Sequence, residues 1–310
     1  MSAFSDALEA RDLAALRRIP KAELHIHAIG GGDRDFLRER TGVDIAPVEG
    51  VLASLAEMDA HSRDVLGPLF VGAAGRALAV EATFVQARKD GVTRIEVGVD
   101  AWDITHHGGS AESLWAALQA AHRAGAPDID WIPQLGISRH CPAWAIERWM
   151  APILDLGVFK TFDLSGVEDA QPIEVFAPIY RRAKDAGLKL KAHVGEYGTA
   201  DDVWRAVELL ELDEVQHGNA ASASPQVMRA LANAGVRLNM CPTSNLKLGR
   251  VERLAAHPIR TLRDAGVRVT INTDDPLIFG CTLSGEFLAL HEAGVLTAAE
   301  LDAIRLEALL

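Results

Sequence analysis

Short runs of apolar and β-branched residues alternate along this chain with longer segments whose apolar positions recur at helical spacing. The strand-like runs fall at 23–27, 93–99, 130–137, 158–164, 189–194, 214–216, 236–240 and 268–272, eight in all. Helix-patterned segments lie between them, among them 111–124, 172–186, 201–212 and 225–234. Several run into a glycine (Gly125, Gly187, Gly235, Gly266), as a helix C-cap ahead of a strand would. Eight strand–helix alternations with that punctuation predict an α/β fold, a (β/α)8 TIM-type barrel. The first crossover, roughly 30–91, is much longer than the others. Extra length after the first strand of a barrel sits over the catalytic face, so this stretch predicts a helical insertion acting as a lid. No compositional break or low-complexity tract divides the chain, and 1–310 reads as one domain.

Composition narrows the partners. The chain has 310 residues, within reach of one barrel, and its 49% hydrophobic content supplies a large core. A net charge of −12 argues against nucleic acid or an anionic membrane as a partner. Cys141, Cys241 and Cys281 form no Cys-x-x-Cys pair, which predicts buried free thiols in a reducing compartment. Asp6 and Glu9 fall where a signal peptide needs its apolar core. The most apolar stretch, 65–80, is interrupted by Pro68 and Arg76 and is too short to span a bilayer. A soluble, cytoplasmic protein is the expectation, with oligomeric state left open.

Four of the strand-like runs end in metal-binding or acid/base side chains: His25-Ile26-His27, His193-Val194-Gly195-Glu196, His217-Gly218 and Asp274-Asp275. Side chains alternate along a strand, so His25 and His27 share a face. Strand ends that converge describe the mouth of a parallel barrel, and imidazoles plus a carboxylate around one cation describe a catalytic zinc-type site. Such a site activates water, which predicts hydrolysis. Each segment alone has a plainer reading. The histidine pair packs at a strand end, Glu196 sits in an exposed loop, and His217 is a ligand, a base or a core residue. Asp274-Asp275 before Pro276 is a turn with a helix N-cap. Adjacent carboxylates, however, repel unless a cation or proton neutralises one.

Six segments in order resemble the adenosine deaminase family, within the wider amidohydrolase superfamily. They are Pro-Lys-Ala-Glu-Leu-His-Ile-His (20–27), Phe-Asp-Leu-Ser-Gly (162–166), His-Val-Gly-Glu (193–196), Gln-His-Gly (216–218), Cys-Pro-Thr-Ser-Asn (241–245) and Asn-Thr-Asp-Asp-Pro-Leu-Ile-Phe (272–279). The resemblance implies one Zn²⁺, with Fe²⁺ or Mn²⁺ as alternatives, held by His25, His27, His193 and Asp274. It implies that His217 orients and helps to deprotonate a water, and that Glu196 protonates a purine ring nitrogen. Asp275 would hydrogen-bond the imidazole part of the base and the incoming oxygen, and Gly166 would offer its backbone N–H to the purine. The implied reaction is hydrolytic deamination of adenosine or a related aminopurine, releasing ammonia, in purine metabolism.

The family usually carries an acidic sugar contact two residues after the second histidine; here that position is Ile29, which accepts no hydrogen bond. A substrate hydroxyl left unpaired is held poorly. Adenine, a modified aminopurine or another aminated heterocycle therefore stands close behind adenosine. The run Glu96-Val97-Gly98-Val99-Asp100 also lacks the Arg and Pro of the pattern, and the first crossover is shorter than the family usually carries, which implies a reduced lid. Lys160 lies several residues before the end of the fourth run, too early to bridge two metals as a carboxylated lysine. Gly30-Gly31-Gly32 lacks the Lys-Ser/Thr of a phosphate cradle. Arg139-His140 touches substrate or makes a structural ion pair, and His106-His107 reads as an exposed loop pair. Amide or phosphoester hydrolysis and a non-catalytic binding barrel are the weaker rivals, and the Cys-rich signature of cytidine deaminases is missing.

Overall fold

In the computed structural model, which describes residues 2–52 and 54–310, the eight expected strands form and pair in parallel in sequence order. They are β1 (Lys21–His27), β2 (Val92–Asp100), β3 (Asp130–Ser138), β4 (Thr161–Ser165), β5 (Lys189–Val194), β6 (Glu214–His217), β7 (Arg237–Met240) and β8 (Arg268–Ile271). β8 closes towards β1 just beyond its own end. The His27 N–H donates to the Asp274 carbonyl at 3.2 Å, and the Asp274 N–H to the His25 carbonyl at 3.0 Å. The Asn272 side-chain oxygen accepts the Leu24 N–H at 2.9 Å, standing in for a backbone partner. The result is a nearly closed (β/α)8 barrel, as the alternation predicts. β4 starts later than the run at 158–164 suggests, because Val158 and Phe159 pack with the hydrophobic layer and Phe159 lies against Trp115.

Alternation along the strands divides the barrel into two chemistries. One set is apolar and packs with the surrounding helices, for example Ile95, Val97 and Val99 on β2 and Leu190, Ala192 and Val194 on β5. The other set is polar and faces inward: Glu96, Lys191, Glu214, Gln216, Asn239, Thr270 and Asn272 are all buried. Lys191 binds Glu96 and lies 2.9 Å from Glu214. Asn239 donates to Glu214 at 2.9 Å and Gln216 at 2.8 Å, and accepts from Thr270 at 2.8 Å. Burial pushes the Glu214 carboxyl upward, but Lys191 and Arg237 outweigh it and hold it well below the carboxylate range. Removing that ammonium would leave the Glu96 carboxylate buried without its cation, while Glu214 keeps Arg237. Lys191→Met is therefore expected to destabilise the fold by about 3–5 kcal/mol in denaturant melts. A loss under about 1 kcal/mol would mean the pair is worth no more than a surface bridge.

The long first crossover has two parts. The helix Gly72–Lys89 is the barrel's own covering helix, packed on β2 and on the helix Ala111–Gly125. Only the stretch before it forms a lid, through the helices Arg34–Thr41 and Leu55–His61 and a π-helical turn Ser62–Leu66. The lid has a small core in which Leu37, Ile45, Leu66 and Phe70 meet Leu277, Ile278 and Phe279, the residues just beyond Asp274-Asp275-Pro276. Of the helix-ending glycines, Gly235 caps its helix in the left-handed conformation (φ 69°). Gly125 instead remains helical, and a Cβ there would sit 2.7 Å from the Glu81 carbonyl oxygen. It serves close helix packing rather than a turn. Among the described residues, no helix is long and apolar enough to cross a membrane.

Candidate active site

The ends of β1, β5 and β8 bring four donor atoms together. His193 Nε2 lies 3.1 Å from His25 Nε2 and 3.2 Å from His27 Nε2. Asp274 Oδ1 lies 3.5 Å from His25 Nε2 and 3.2 Å from His27 Nε2. The second nitrogen of His25 is already committed: its Nδ1–H donates to the Asn239 carbonyl at 3.0 Å, leaving a lone pair on Nε2. His193 Nδ1 lies 3.1 Å from Asp163 Oδ2, which fixes the same tautomer. Lone pairs this close repel unless a cation lies between them. Four ligands at about 2.0–2.1 Å from a tetrahedral ion would be roughly 3.3 Å apart. The observed spacings match that figure, so the residues fit a single divalent ion. The Ser244 hydroxyl donates to the other oxygen of Asp274 at 2.7 Å, leaving Oδ1 free to face the histidines. Burial opposes ionisation of Asp274, but His25 and His27 hold its carboxyl well below the ordinary range. Asp274 and His217 both leave their strands in the left-handed region, at φ 63° and 64°. That departure from strand geometry costs on the order of 1–3 kcal/mol each and turns both side chains to the centre.

His217 is buried, with its ring centroid 4.6 Å from that of His25. The Asn245 amide donates to His217 Nδ1 at 3.3 Å, and the Asn245 oxygen faces His257 Nε2 at 3.2 Å. Nδ1 thus accepts, and the proton of the neutral ring sits on Nε2, 3.6 Å from Glu196 Oε2. Burial and the neighbouring His25 keep His217 neutral, well below the usual imidazole range. An Nε2–H is suited to holding an oxygen lone pair rather than to taking a proton.

Glu196 has no hydrogen-bond partner for its buried Oε1 among the described residues. Burial, with Asp274 and Glu168 nearby, pushes its carboxyl well above the ordinary value. A carboxyl raised in this way, with an unpartnered oxygen beside a cavity, is a candidate proton donor. Burial and Asp274 raise Asp275 to about 7. The cavity holds about 490 Å³ and is lined by the barrel mouth (His27, His193, Glu196, His217, Asp274, Asp275) and by Ser138, His140 and Gly166. The lid contributes Met58, Asp59, Ser62 and Arg63, and Ile29 faces the cavity from the β1 loop.

The structure brings all eight residues implied by the resemblance to this one cavity or its donor cluster, and it separates the remaining candidates. Lys160 is exposed ahead of β4, away from the cluster. Of the glycine run, Gly30 lies against Asp275, where a Cβ would come within 1.7 Å of Oδ1. The run is packing space for a catalytic-face carboxyl, not a phosphate cradle. The Arg139-His140 pair splits: His140 lines the cavity, while Arg139 turns to the Glu168 and His193 carbonyls. Of the pair expected in an exposed loop, His106 is exposed but His107 is half-buried, and both lie in the 3-10 helical turn Ala101–His107. Sequence reasoning missed Asp163, Glu168, Ser244 and Asn245 as supporting residues, and Asp100 and Trp102 as cavity walls. The one signal for Asp163 was its polar position, in register with Ser165, inside an apolar run.

Comparison with known proteins agrees with this geometry. Residues 69–309 match the family described as Adenosine deaminase. A Treponema pallidum protein provisionally named adenosine/adenine deaminase is 34% identical over 95% of this chain and 98% of its own length. An adenine deaminase of Rhodospirillum rubrum is 33% identical over 94% of this chain and 93% of its own. The zinc-bound crystal structure of an amidohydrolase from Burkholderia ambifaria superposes with a TM-score of 0.77 at 26% identity, covering 99% of this chain and 87% of that one.

Proposed function

Because the chain belongs to the adenosine deaminase family, and so is a metal-dependent hydrolytic deaminase, we propose that its substrate is a free 6-aminopurine base, adenine first. The observation that carries the chemistry is the buried Glu196 carboxyl, unpartnered at Oε1 and raised above its ordinary value, beside four converging donors. The observation that carries the choice of base over nucleoside is Ile29 on the cavity wall, where the family pattern has an acidic sugar contact. The names of the curated relatives support the same choice.

His25, His27, His193 and Asp274 would hold the ion, Zn²⁺ in our reading, with Fe²⁺ or Mn²⁺ distinguished by metal analysis. Bound there, a divalent cation makes a water acidic enough to supply hydroxide near neutral pH. Glu196 hands its proton to ring N1, which makes C6 electrophilic. His217 Nε2–H steadies the attacking oxygen. Asp275 hydrogen-bonds the imidazole edge of the base and the same oxygen. Gly166, at φ 91° at the end of β4, presents its N–H to the pyrimidine edge. The oxygen would bond to C6, and the C6–N bond would break as the amine takes the new hydroxyl's proton by way of Asp275 and leaves as ammonia. The proton given up by the water would restore Glu196, so hypoxanthine remains and one water is consumed for each amine released.

Ammonia release across adenine, adenosine and other aminated purines tests the reading directly; silence on the whole panel with metal bound would reject it. A nucleoside preference would favour adenosine, the reading that the Treponema pallidum name keeps open. Ile29→Asp is expected to raise the adenosine-to-adenine ratio of kcat/KM by about 10-fold or more, since pairing one buried hydroxyl is worth roughly 1–3 kcal/mol. An unchanged ratio would remove Ile29 from the account of specificity.

A further inference from the structure

Glu168 lies two residues beyond Gly166, outside the donor cluster and the cavity wall, yet it makes more hydrogen bonds to the catalytic loop than any other side chain described. Its Oε2 accepts the Gly195 N–H at 2.8 Å. Its Oε1 accepts the N–H groups of Glu196 at 2.9 Å, Tyr197 at 2.7 Å and Gly198 at 3.2 Å. Four consecutive amides thus close on one carboxylate, a nest built from this chain's own backbone. Arg139 ties the arrangement to the barrel: its guanidinium donates to the Glu168 carbonyl at 2.5 Å and to the His193 carbonyl at 3.4 Å. The Glu196 side chain has little to hold it by itself, since Oε1 is unpartnered and Oε2 comes only to 3.6 Å from His217. The direction of that carboxyl therefore follows from its backbone, and its backbone is set by Glu168. Gly195 completes the device: it sits at φ 73°, and a Cβ there would lie 2.2 Å from Val203 Cγ2.

We propose that Glu168 is a positioning residue for the proton donor, holding the 195–198 loop in the one shape that aims Glu196 at the substrate ring. This rests on the reading of Glu196 as the acid. It differs from general structural support because the loop bears the donor and no donor atom of the metal cluster. Misplacing a catalytic group by about 1 Å costs on the order of 10²-fold in rate.

The test compares the metal-loaded full-length protein with Glu168→Gln, which brings an N–H₂ group into a nest of donors, and Glu168→Asp, which keeps the charge but withdraws it by a methylene. Both should retain one metal per chain and bind hypoxanthine normally, with KM within about threefold of native and kcat about 10²-fold lower. A hydrated-purine analogue, which needs the acid in place, should lose affinity in parallel with kcat/KM. Amide hydrogen exchange at 195–198 should accelerate while that of β5 does not. A kcat within threefold of native in either folded variant overturns the proposal. So does a joint loss of metal, hypoxanthine binding and turnover, or failure of both variants to fold, because each marks a role in folding alone. If the native protein releases ammonia from no aminopurine, the functional reading fails instead, and the exchange rates at 195–198 still report on the nest.

Discussion

Asp274→Asn is expected to yield a folded barrel that retains well under one metal per chain and turns over on the order of 10⁴-fold more slowly. Asparagine is the informative replacement. It tolerates the left-handed backbone found at φ 63°, so the change removes charge without adding strain. What it removes is the single anionic donor among three imidazoles, and the hydrogen bond from Ser244 to the carboxylate loses its charge-assisted strength. Without the ion, water near pH 7 supplies hydroxide at its bulk pKa of about 15.7 rather than about 7, which is the source of the large factor. Chelation of the native protein should reproduce the loss, and added Zn²⁺ should reverse it in the native protein but not in the variant. Elemental analysis beside an ammonia assay reads both quantities. A variant carrying full metal with activity within tenfold of native would remove Asp274 from the donor set.

Glu196→Gln should leave metal content untouched and lower kcat by about 10²–10⁴-fold, the range general acids contribute. The replacement keeps the shape of the side chain and lacks only the transferable proton. The pH profile gives a second readout. Burial, with Asp274 and Glu168, raises the Glu196 carboxyl well above its ordinary value, so the acid form persists to higher pH than a surface glutamate would allow. Native activity is therefore present below that raised pKa and lost as pH climbs through it. The Gln variant, having no proton to lose there, should show a residual rate without that alkaline limb. Near-native turnover would instead assign the proton to another group, with Asp275, raised to about 7, next in line.

Both predictions rest on residues that were readable in the chain before any coordinates. Alternation places His25 and His27 on one face of a strand whatever the rest of the molecule does, because successive side chains point to opposite sides. The acid/base residues at the ends of short strand-like runs likewise marked His193, His217 and Asp274-Asp275. Other features had no such local cause. Asp163 matters because β4 lies beside β5, and Ser244 because the short helix Pro242–Lys247 after β7 reaches the end of β8. Arg139 and His140 are neighbours in sequence and part company in space. The lid boundary at Gly72–Lys89 was hidden because that helix carries no clear amphipathic stripe to mark it as a barrel-covering helix.

Composition and periodicity are properties of neighbouring residues, and they were enough to specify eight strands and the barrel; the roles of the reactive groups came from the family resemblance. Hydrogen-bond partners are not. Which nitrogen of His25 or His217 carries its proton, and which way Glu196 points, depends on Asn239, Asn245 and Glu168, each contributed by a different strand end or loop. Those contacts exist only once the sheet has curled until the end of β8 meets β1, where the backbone bonds between Asp274 and the histidine pair draw the donors to one point.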